Sequence, residues 1–410
     1  MVVPSLSPGA LDGVRALTLV DGPGAYGPRL LRGLGAEVIR LERPGGSLQR
    51  HRPPPSAQHP APSVPTSEEG APSLYFLHYH TGMQGITLDP TAPGGLDLLR
   101  RLLDTVDVVF DNGELQSWGV DLDALAAGPR PLVVVSVTPF GLDGPRVYWQ
   151  GGDLIAQAMS GMLGIFGYAE ERPARFGPEQ ASEMSGLAAA LGALIALYGA
   201  QHGGGGEVID IAMQRVAALV SFQMWNASIH DQFGFDRRRL PRTDGLPVGL
   251  YEAADGYFLL AAWRKVDEAL ALLDSVGESA GLRDLRAELG DAQFIAHADA
   301  DAAMIRFAAT RSRAEVVELI QRFAMIGLPV HDAADLVADP FLQSRGTFVE
   351  VEAPGLPSPL LDSGAPVRFS ETPYVAAARP PLLGEHNSDV YGSLGLTEAQ
   401  IAALRGQGAV

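Results

Sequence analysis

The feature that most constrains this chain lies in its first forty residues. An apolar, β-rich run from Val14 to Val20 leads into Gly22-Pro-Gly24-Ala-Tyr-Gly27. A helical pattern through Leu30, Leu31 and Leu34 comes next, with Gly35 at its C-cap, and then a second strand pattern from Glu37 to Leu41. Strand, helix and strand at this spacing form a βαβ unit, so a parallel α/β sheet is predicted. The 410 residues are enough for two domains around large cores.

The same signals continue downstream. Residues 44–72 are rich in proline, serine and glycine without periodicity and predict an exposed loop. A helix is expected over Gly94 to Leu103, with strands over Val106 to Phe110 and Pro131 to Val137. Helices are expected over Leu154 to Met162, Ser185 to Tyr198 and Arg215 to Ile229, with the strand-like Val208 to Ile211 between the last two. A second region opens near Arg242, with a hairpin around Asp255-Gly256, helices to about Phe323 and a strand from Ile326 to Val330. Short strands are expected between Phe348 and Phe369, and a last helix over Leu396 to Leu404 with Thr397 as N-cap.

Gly22-x-Gly24-x-x-Gly27 between a strand and a helix, with Glu42 at the end of the next strand, satisfies the dinucleotide-binding fingerprint in context and spacing. Its logic is a pyrophosphate at a helix N-terminus and Glu42 on the ribose. Pro23 removes one backbone donor from that loop, and no later segment nominates the acid–base residue that hydride transfer needs. NAD binding is kept as an alternative only.

Composition excludes several chemistries. The chain has no cysteine, hence no disulfide, thiol nucleophile or thiolate metal site. A formal charge of −18 disfavours nucleic acid and anionic membrane as partners. No membrane span or signal peptide is read, and a cytoplasmic location is expected. Lys265 is the only lysine, and the histidines stand singly without metal spacing.

One segment carries the chemistry. Arg175-Phe-Gly-Pro-Glu-Gln-Ala-Ser182-Glu183-Met-Ser-Gly186 precedes an apolar helix, then Gly203-Gly-Gly-Gly206-Glu207. It resembles the catalytic segment of the family III CoA-transferases, which include formyl-CoA transferase, carnitine CoA-transferase and α-methylacyl-CoA racemase. Further blocks keep the family's order. Leu30 to Gly46 is similar to "LLADLGAEVIKVERPGG", Gly85 to Asp89 to the end of "NKRSITLDL", and Phe140 to Pro145 to "GFGQDGP". Asp153 to Gly161 is nearly the family's consensus, and Leu383-Gly-Glu-His386 resembles a C-terminal one.

The resemblance implies interlocked, ring-like chains in a homodimer or heteromer. It implies a Rossmann-like large domain (residues 1–225, completed by 331–410) and a smaller α+β domain (226–330). No tightly bound cofactor is implied. Coenzyme A and acyl-CoA enter as substrates together with a carboxylic acid, in EC 2.8.3-like chemistry. In such enzymes a carboxylate attacks the thioester, and the acyl anhydride passes through an enzyme–CoA thioester. A serine ester would be a sink on that path.

The family's catalytic aspartate falls at Ser182 here. Glu183 is next to it, but neighbours on a helix point about 100° apart. Of the family's phosphate-binding basic segment only His80 remains as a cation, in His80-Thr-Gly-Met-Gln-Gly85. Arg40 and Arg43 are the best-placed CoA contacts by resemblance, and Asn112 matches the family's Glu-Asn pair. Gly152 stands where racemases carry a histidine, which disfavours racemisation. Trp118 and three further tryptophans are read as core or acyl-pocket lining.

Three readings result. The chain is a degenerate subunit working beside an aspartate-bearing paralogue, similar to the aspartate-lacking subunit of benzylsuccinate CoA-transferase-like heteromers. Alternatively it is an active transferase using Glu183, or a non-enzymatic CoA- or NAD-binding protein on the same fold.

Overall fold

In the computed structural model, six strands pair in parallel. They are β1 (Arg15–Thr18), β2 (Glu37–Glu42), β3 (Gln84–Thr87), β4 (Val108–Asp111), β5 (Val133–Thr138) and β6 (Glu207–Ala212), in the order β3-β2-β1-β4-β5-β6. The structure describes residues 9–52, 73–221, 223–235, 239, 248–261, 265–291, 297–351, 359–375 and 378–410. Most of the loop expected over 44–72 lies outside these residues; its first part contains a short 3-10 turn, Leu48–His51. Runs such as Val133-Val-Val are buried on both faces, as parallel strands flanked by helices require. The order reverses between β1 and β4, which opens a crevice at the strands' carboxyl ends.

Side-chain alternation sorts the core into two layers. Ala16, Val38, Val108, Phe110 and Val135 face Leu31 of α1 (Tyr26–Gly33) and Ala189 and Ala193 of a long helix, Gln180–Gln201. Leu17, Ile39, Val109 and Val134 face the opposite way, against Leu99 and Leu102 of the helix Gly95–Leu103 and Tyr391 and Ile401 of the last two helices. Gly27 and Gly186 let α1 and the long helix approach. A Cβ on Gly186 would lie 2.8 Å from that of Tyr26, and one on Gly27 would lie 3.0 Å from the Gly186 carbonyl. The third glycine of the fingerprint thus serves packing.

The described helices between β2 and residue 235, in chain order, are α2 (Leu74–Tyr79), α3 (Gly95–Leu103), α4 (Glu114–Ser117), α5 (Leu122–Ala126), α6 (Asp153–Met159), α7 (Met162–Ile165), α8 (Gln180–Gln201), α9 (Met213–Val220) and α10 (Gln223–Phe233). Ser182 therefore sits inside the first turn of α8, a turn earlier than the expected helix start. The edge strand β3 is sealed by the Leu383-Gly-Glu-His386 block and the helix Asn387–Ser393. His386 Nδ1 accepts the Gly85 N–H (3.0 Å), and Asn387 Oδ1 accepts the Thr87 N–H (2.8 Å). Tyr391 donates to the Thr87 carbonyl (2.7 Å), so the edge offers no free ladder. Thr397 caps the last helix in a capping box with Gln400, as expected.

The chain divides into two compact units. The large one comprises Met1–Phe166, Ala174–Arg237 and Phe341–Val410, and the small one Gly167–Pro173 and Arg238–Pro340. The small unit holds the antiparallel strands β7 (Val248–Ala253), β8 (Gly256–Ala261) and β9 (Ile326–Pro329). The hairpin expected at Asp255-Gly256 joins β7 to β8, with Gly256 at φ +138°. A further hairpin of the large unit pairs β10 (Phe348–Val351) with β11 (Leu360–Ser363).

No membrane-spanning run was expected, yet among the described residues α8 is long and apolar enough to cross a bilayer by length and composition. One side of it forms the buried contact with α1 and the sheet.

Candidate functional site

The carboxyl ends of β1, β2 and β4 surround a cavity of about 390 Å³, lined among others by Asp21, Arg40, Glu42, Arg43, Ser47 and Trp118. Arg40 is a wall residue. Its guanidinium is buried and donates to the Val20 carbonyl (2.8 Å) and to Asp21 (3.3 Å). Burial lowers its pKa, and the carboxylates of Asp21 and Glu42 pull it back up. Arg43 is different: it is 52% exposed, over the Trp118 ring at 5.8 Å, and only loosely paired with Glu114 (3.6 Å) and Asp89 (3.9 Å). Of the two arginines among the described lining residues, it is the exposed one.

Glu42 is unavailable to any ligand. Arg50 holds it in a two-bond fork (2.6 and 2.7 Å), and the Ser47 N–H donates to the same carboxylate (2.9 Å). The ribose contact of the dinucleotide fingerprint is therefore absent, which removes the main support for NAD binding. Asn112 lines the cavity but is saturated. It accepts the Asp21 N–H (2.9 Å) and donates to the carbonyls of Pro23 (3.1 Å) and Val137 (2.6 Å), tying the first loop to β5.

His80 is elsewhere. It is fully buried at the end of α2, against Phe76, with no hydrogen-bond partner at either ring nitrogen. Burial, reinforced by the charges of Arg40, Arg50 and Arg29, pushes its pKa well below the usual value. The ring is neutral and cannot replace a lost phosphate-binding cation. Arg40, Arg43 and Asn112 thus share one cavity, and His80 does not.

Ser182, where the resemblance puts the family's nucleophile, is not among the residues lining this cavity. The Ser182 N–H donates to Asp153 Oδ1 (3.1 Å), and Gln157 donates to the other Asp153 oxygen (2.7 Å). The Ser182 hydroxyl is buried with no hydrogen-bond partner, so nothing activates it as a nucleophile. Gly152 precedes α6 at the N-cap and brings no side chain to this place.

Glu183 turns away toward α2, where Tyr79 donates a hydrogen bond to its carboxylate. Burial raises the Glu183 pKa, and the Tyr79 bond and the charges of His78 and Arg29 only partly oppose it. The Tyr79 phenol is itself driven up by burial and by Glu183. Around them, His78 Nδ1 meets Asp362 (2.7 Å), and Arg29 meets the same carboxylate (3.1 Å). Glu179, just before the helix, holds a left-handed φ of 64° and pairs with Arg52 (2.7 Å), whose guanidinium lies over Tyr75. Glu183 is a half-buried carboxyl held by Tyr79, and no group of residues able to hold a metal occurs among the described residues.

Sequence reasoning missed Tyr79, Asp21, Ser47 and Glu114. The one signal for Tyr79 was the Tyr75/Tyr79 spacing of four on one helix face. Trp118, read as core or acyl-pocket lining, forms part of the cavity wall.

The sequence signature of CoA-transferase family III matches residues 11–387. The subunit BbsE of succinyl-CoA:(R)-benzylsuccinate CoA-transferase from Thauera aromatica is 30% identical, covering 96% of this chain and 97% of its own length. The succinyl-CoA:mesaconate CoA-transferase of Haloarcula hispanica is 28% identical over 95% of this chain and 97% of its own. Among solved structures, a CAIB/BAIF family protein from Brucella suis superposes with a TM-score of 0.80 at 24% identity, covering 94% of this chain and all of that one. Together with the matching order of blocks, these likenesses show that the chain belongs to CoA-transferase family III.

Proposed function

We propose that the chain is the supporting subunit of a CoA-transferase that moves CoA between an acyl-CoA and a carboxylic acid, with the nucleophilic carboxylate supplied by an aspartate-bearing paralogue. One observation carries this reading: the hydroxyl of Ser182, which stands where the resemblance puts the nucleophile, has neither base nor partner, while the adjacent Glu183 is bonded to Tyr79. A carboxylate must be ionised and free to attack a thioester. The likeness to a protein named as a subunit supports the pairing.

In this division of labour the cavity at β1, β2 and β4 receives the nucleotide end of CoA, with Arg43 toward its phosphates and no tightly bound cofactor. The use of CoA thioesters supports a cytoplasmic setting. The partner's aspartate forms the acyl anhydride, CoA thiolate returns to give an enzyme–CoA thioester, and the acceptor acid takes the CoA. Co-expression with an aspartate-bearing family III chain from the same genome should give a stable complex with transferase activity that neither chain shows alone. Transferase turnover by the purified single chain, or failure of any such paralogue to associate, sinks the reading.

An active chain using Glu183 is the second reading, and the position of Glu183 on α8 is what favours it. Borohydride or hydroxylamine trapping under acyl-CoA, followed by mass mapping, distinguishes the two. A label on Glu183 would overturn the supporting-subunit assignment.

A further inference from the structure

Charge is unevenly spread around the cavity at β1, β2 and β4. Its described lining holds the ionisable side chains Asp21, Arg40, Glu42, Arg43 and Glu114. Arg40 and Glu42 are enclosed, at 2% and 0% exposure, and are paired with Asp21 and Arg50. The ones that reach water are Asp21 (37%), Arg43 (52%) and Glu114 (46%), so two open carboxylates stand against one open guanidinium. Asp89, 3.9 Å from the other side of the Arg43 fork, adds a further carboxylate. The stretch 53–72, which lies outside the described residues, contains neither lysine nor arginine.

The turn after β4 fixes Glu114 in this place. Asp111 is fully buried and accepts the N–H groups of Gly113 (2.7 Å) and Leu115 (3.0 Å), on either side of Glu114. Gly113 takes a φ of +91°, a left-handed turn that suits glycine, and Glu114 opens α4. Its carboxylate then lies 3.6 Å from Arg43 Nη2. An exposed pair of this kind is weak, so a phosphate can take Arg43 from it. The carboxylate remains as a like charge beside that phosphate.

We propose that Glu114 is a specificity-determining residue that limits how much phosphate the cavity accepts: one diphosphate, met by Arg43, and no further phosphate group. The inference rests on the reading that this cavity receives the nucleotide end of CoA. The 3′-phosphate of CoA adds about 1.5–2 negative charges at pH 7. No second open cation among the described lining residues meets that charge, while Glu114 and Asp21 oppose it. The preferred ligand is therefore the 3′-dephosphorylated form, an adenosine diphosphate ester of pantetheine. Discrimination of this kind works by repulsion of the wrong ligand rather than by a new contact to the right one.

Calorimetric titration of the full-length chain with CoA and with dephospho-CoA at low salt tests this. Dephospho-CoA should bind about tenfold more tightly than CoA. Glu114→Gln should tighten CoA about fivefold and dephospho-CoA by less, so that the preference shrinks. Glu114→Asp keeps the charge and should keep the preference. Raising the salt to about 1 M, where charges are screened beyond about 3 Å, should bring the wild-type ratio toward one, which a steric cause would not do. The wild-type ratio and its salt response need no variant, so the test survives a substitution that fails to fold. Equal binding of the two ligands by the wild type overturns the proposal, as does a preference that Glu114→Gln or high salt leaves intact. If both ligands bind equally and Arg43→Ala weakens both, the cavity reading stands and this inference alone falls. If neither ligand binds, both fall.

Discussion

Glu42→Gln removes the charge from one of the two best-enclosed ion pairs among the described residues of the large unit, the other being Arg29–Asp362. Arg50 and Glu42 are 8% and 0% exposed, and the variant leaves a guanidinium buried without its carboxylate. Breaking one side of a buried pair costs about 3–5 kcal/mol. Arg50 keeps the Pro381 carbonyl at 3.2 Å and the Phe76 ring at 4.0 Å, so the lower end applies. About 3 kcal/mol corresponds to a fall in Tm of about 5 °C for a unit of this size. Replacing both partners, as Glu42→Gln/Arg50→Met, should recover most of that loss, because no uncompensated charge remains.

The pH dependence has a definite sign. Burial alone would raise the Glu42 pKa, but the Arg50 bonds, the charges of Arg40 and Arg50 and the Ser47 N–H outweigh it and hold the pKa below 4.5. A lowered carboxyl pKa contributes stability that is complete above 4.5 and is lost as the pH falls through the lowered value. Scanning calorimetry should therefore show the full gap between wild type and Glu42→Gln at pH 7 and a narrowing gap in acid. A variant melting within about 1 °C of wild type at pH 7, or a gap that widens in acid, would refute the argument.

The site yields three further outcomes. Ser182→Ala should change stability by no more than about 0.5 kcal/mol in urea and leave turnover of the reconstituted complex unaltered, since the lost hydroxyl has no partner. Glu183→Gln should stabilise the chain at pH 7 and have little effect near pH 4. A raised carboxyl pKa gives stability that is present below the ordinary range and lost as the pH rises through the raised value, and Tyr79 can still donate to the amide; urea titrations at the two pH values read the difference. Arg43→Ala should weaken CoA binding about 10- to 150-fold by calorimetry, the loss of one charge-assisted contact.

The parallel sheet was legible because β-branched runs such as Val133 to Val137 alternate with helical periods, and that pattern has few solutions. The spacing of the Ser182 segment rests on Gly186, and the structure gives that glycine a physical reason, because no side chain fits where α1 meets α8. The state of the site was not legible. Glu42 matches a ribose ligand in spacing, but its partner is Arg50, eight residues on within a loop that has no period to read. His80 looks like a surviving cation until its burial is known, because burial is a property of packing and not of spacing. Glu183 could be placed about 100° from Ser182, but its capture by Tyr79, 104 positions earlier, depends on how α2 meets α8.

The seal on β3 has a consequence for how the chain reaches its fold. Thr87 finds its partner Asn387 only 300 residues later, and the small unit is encoded between them. During synthesis the small unit can complete its own short-range contacts, while the first strands of the large unit must wait with an open edge. Such a delay lengthens the time over which that edge can pair wrongly, and it makes high contact order the slow step. Refolding of the isolated chain is then expected to be limited by docking of residues 378–410, and a chain interrupted before them would present β3 as a template for aggregation.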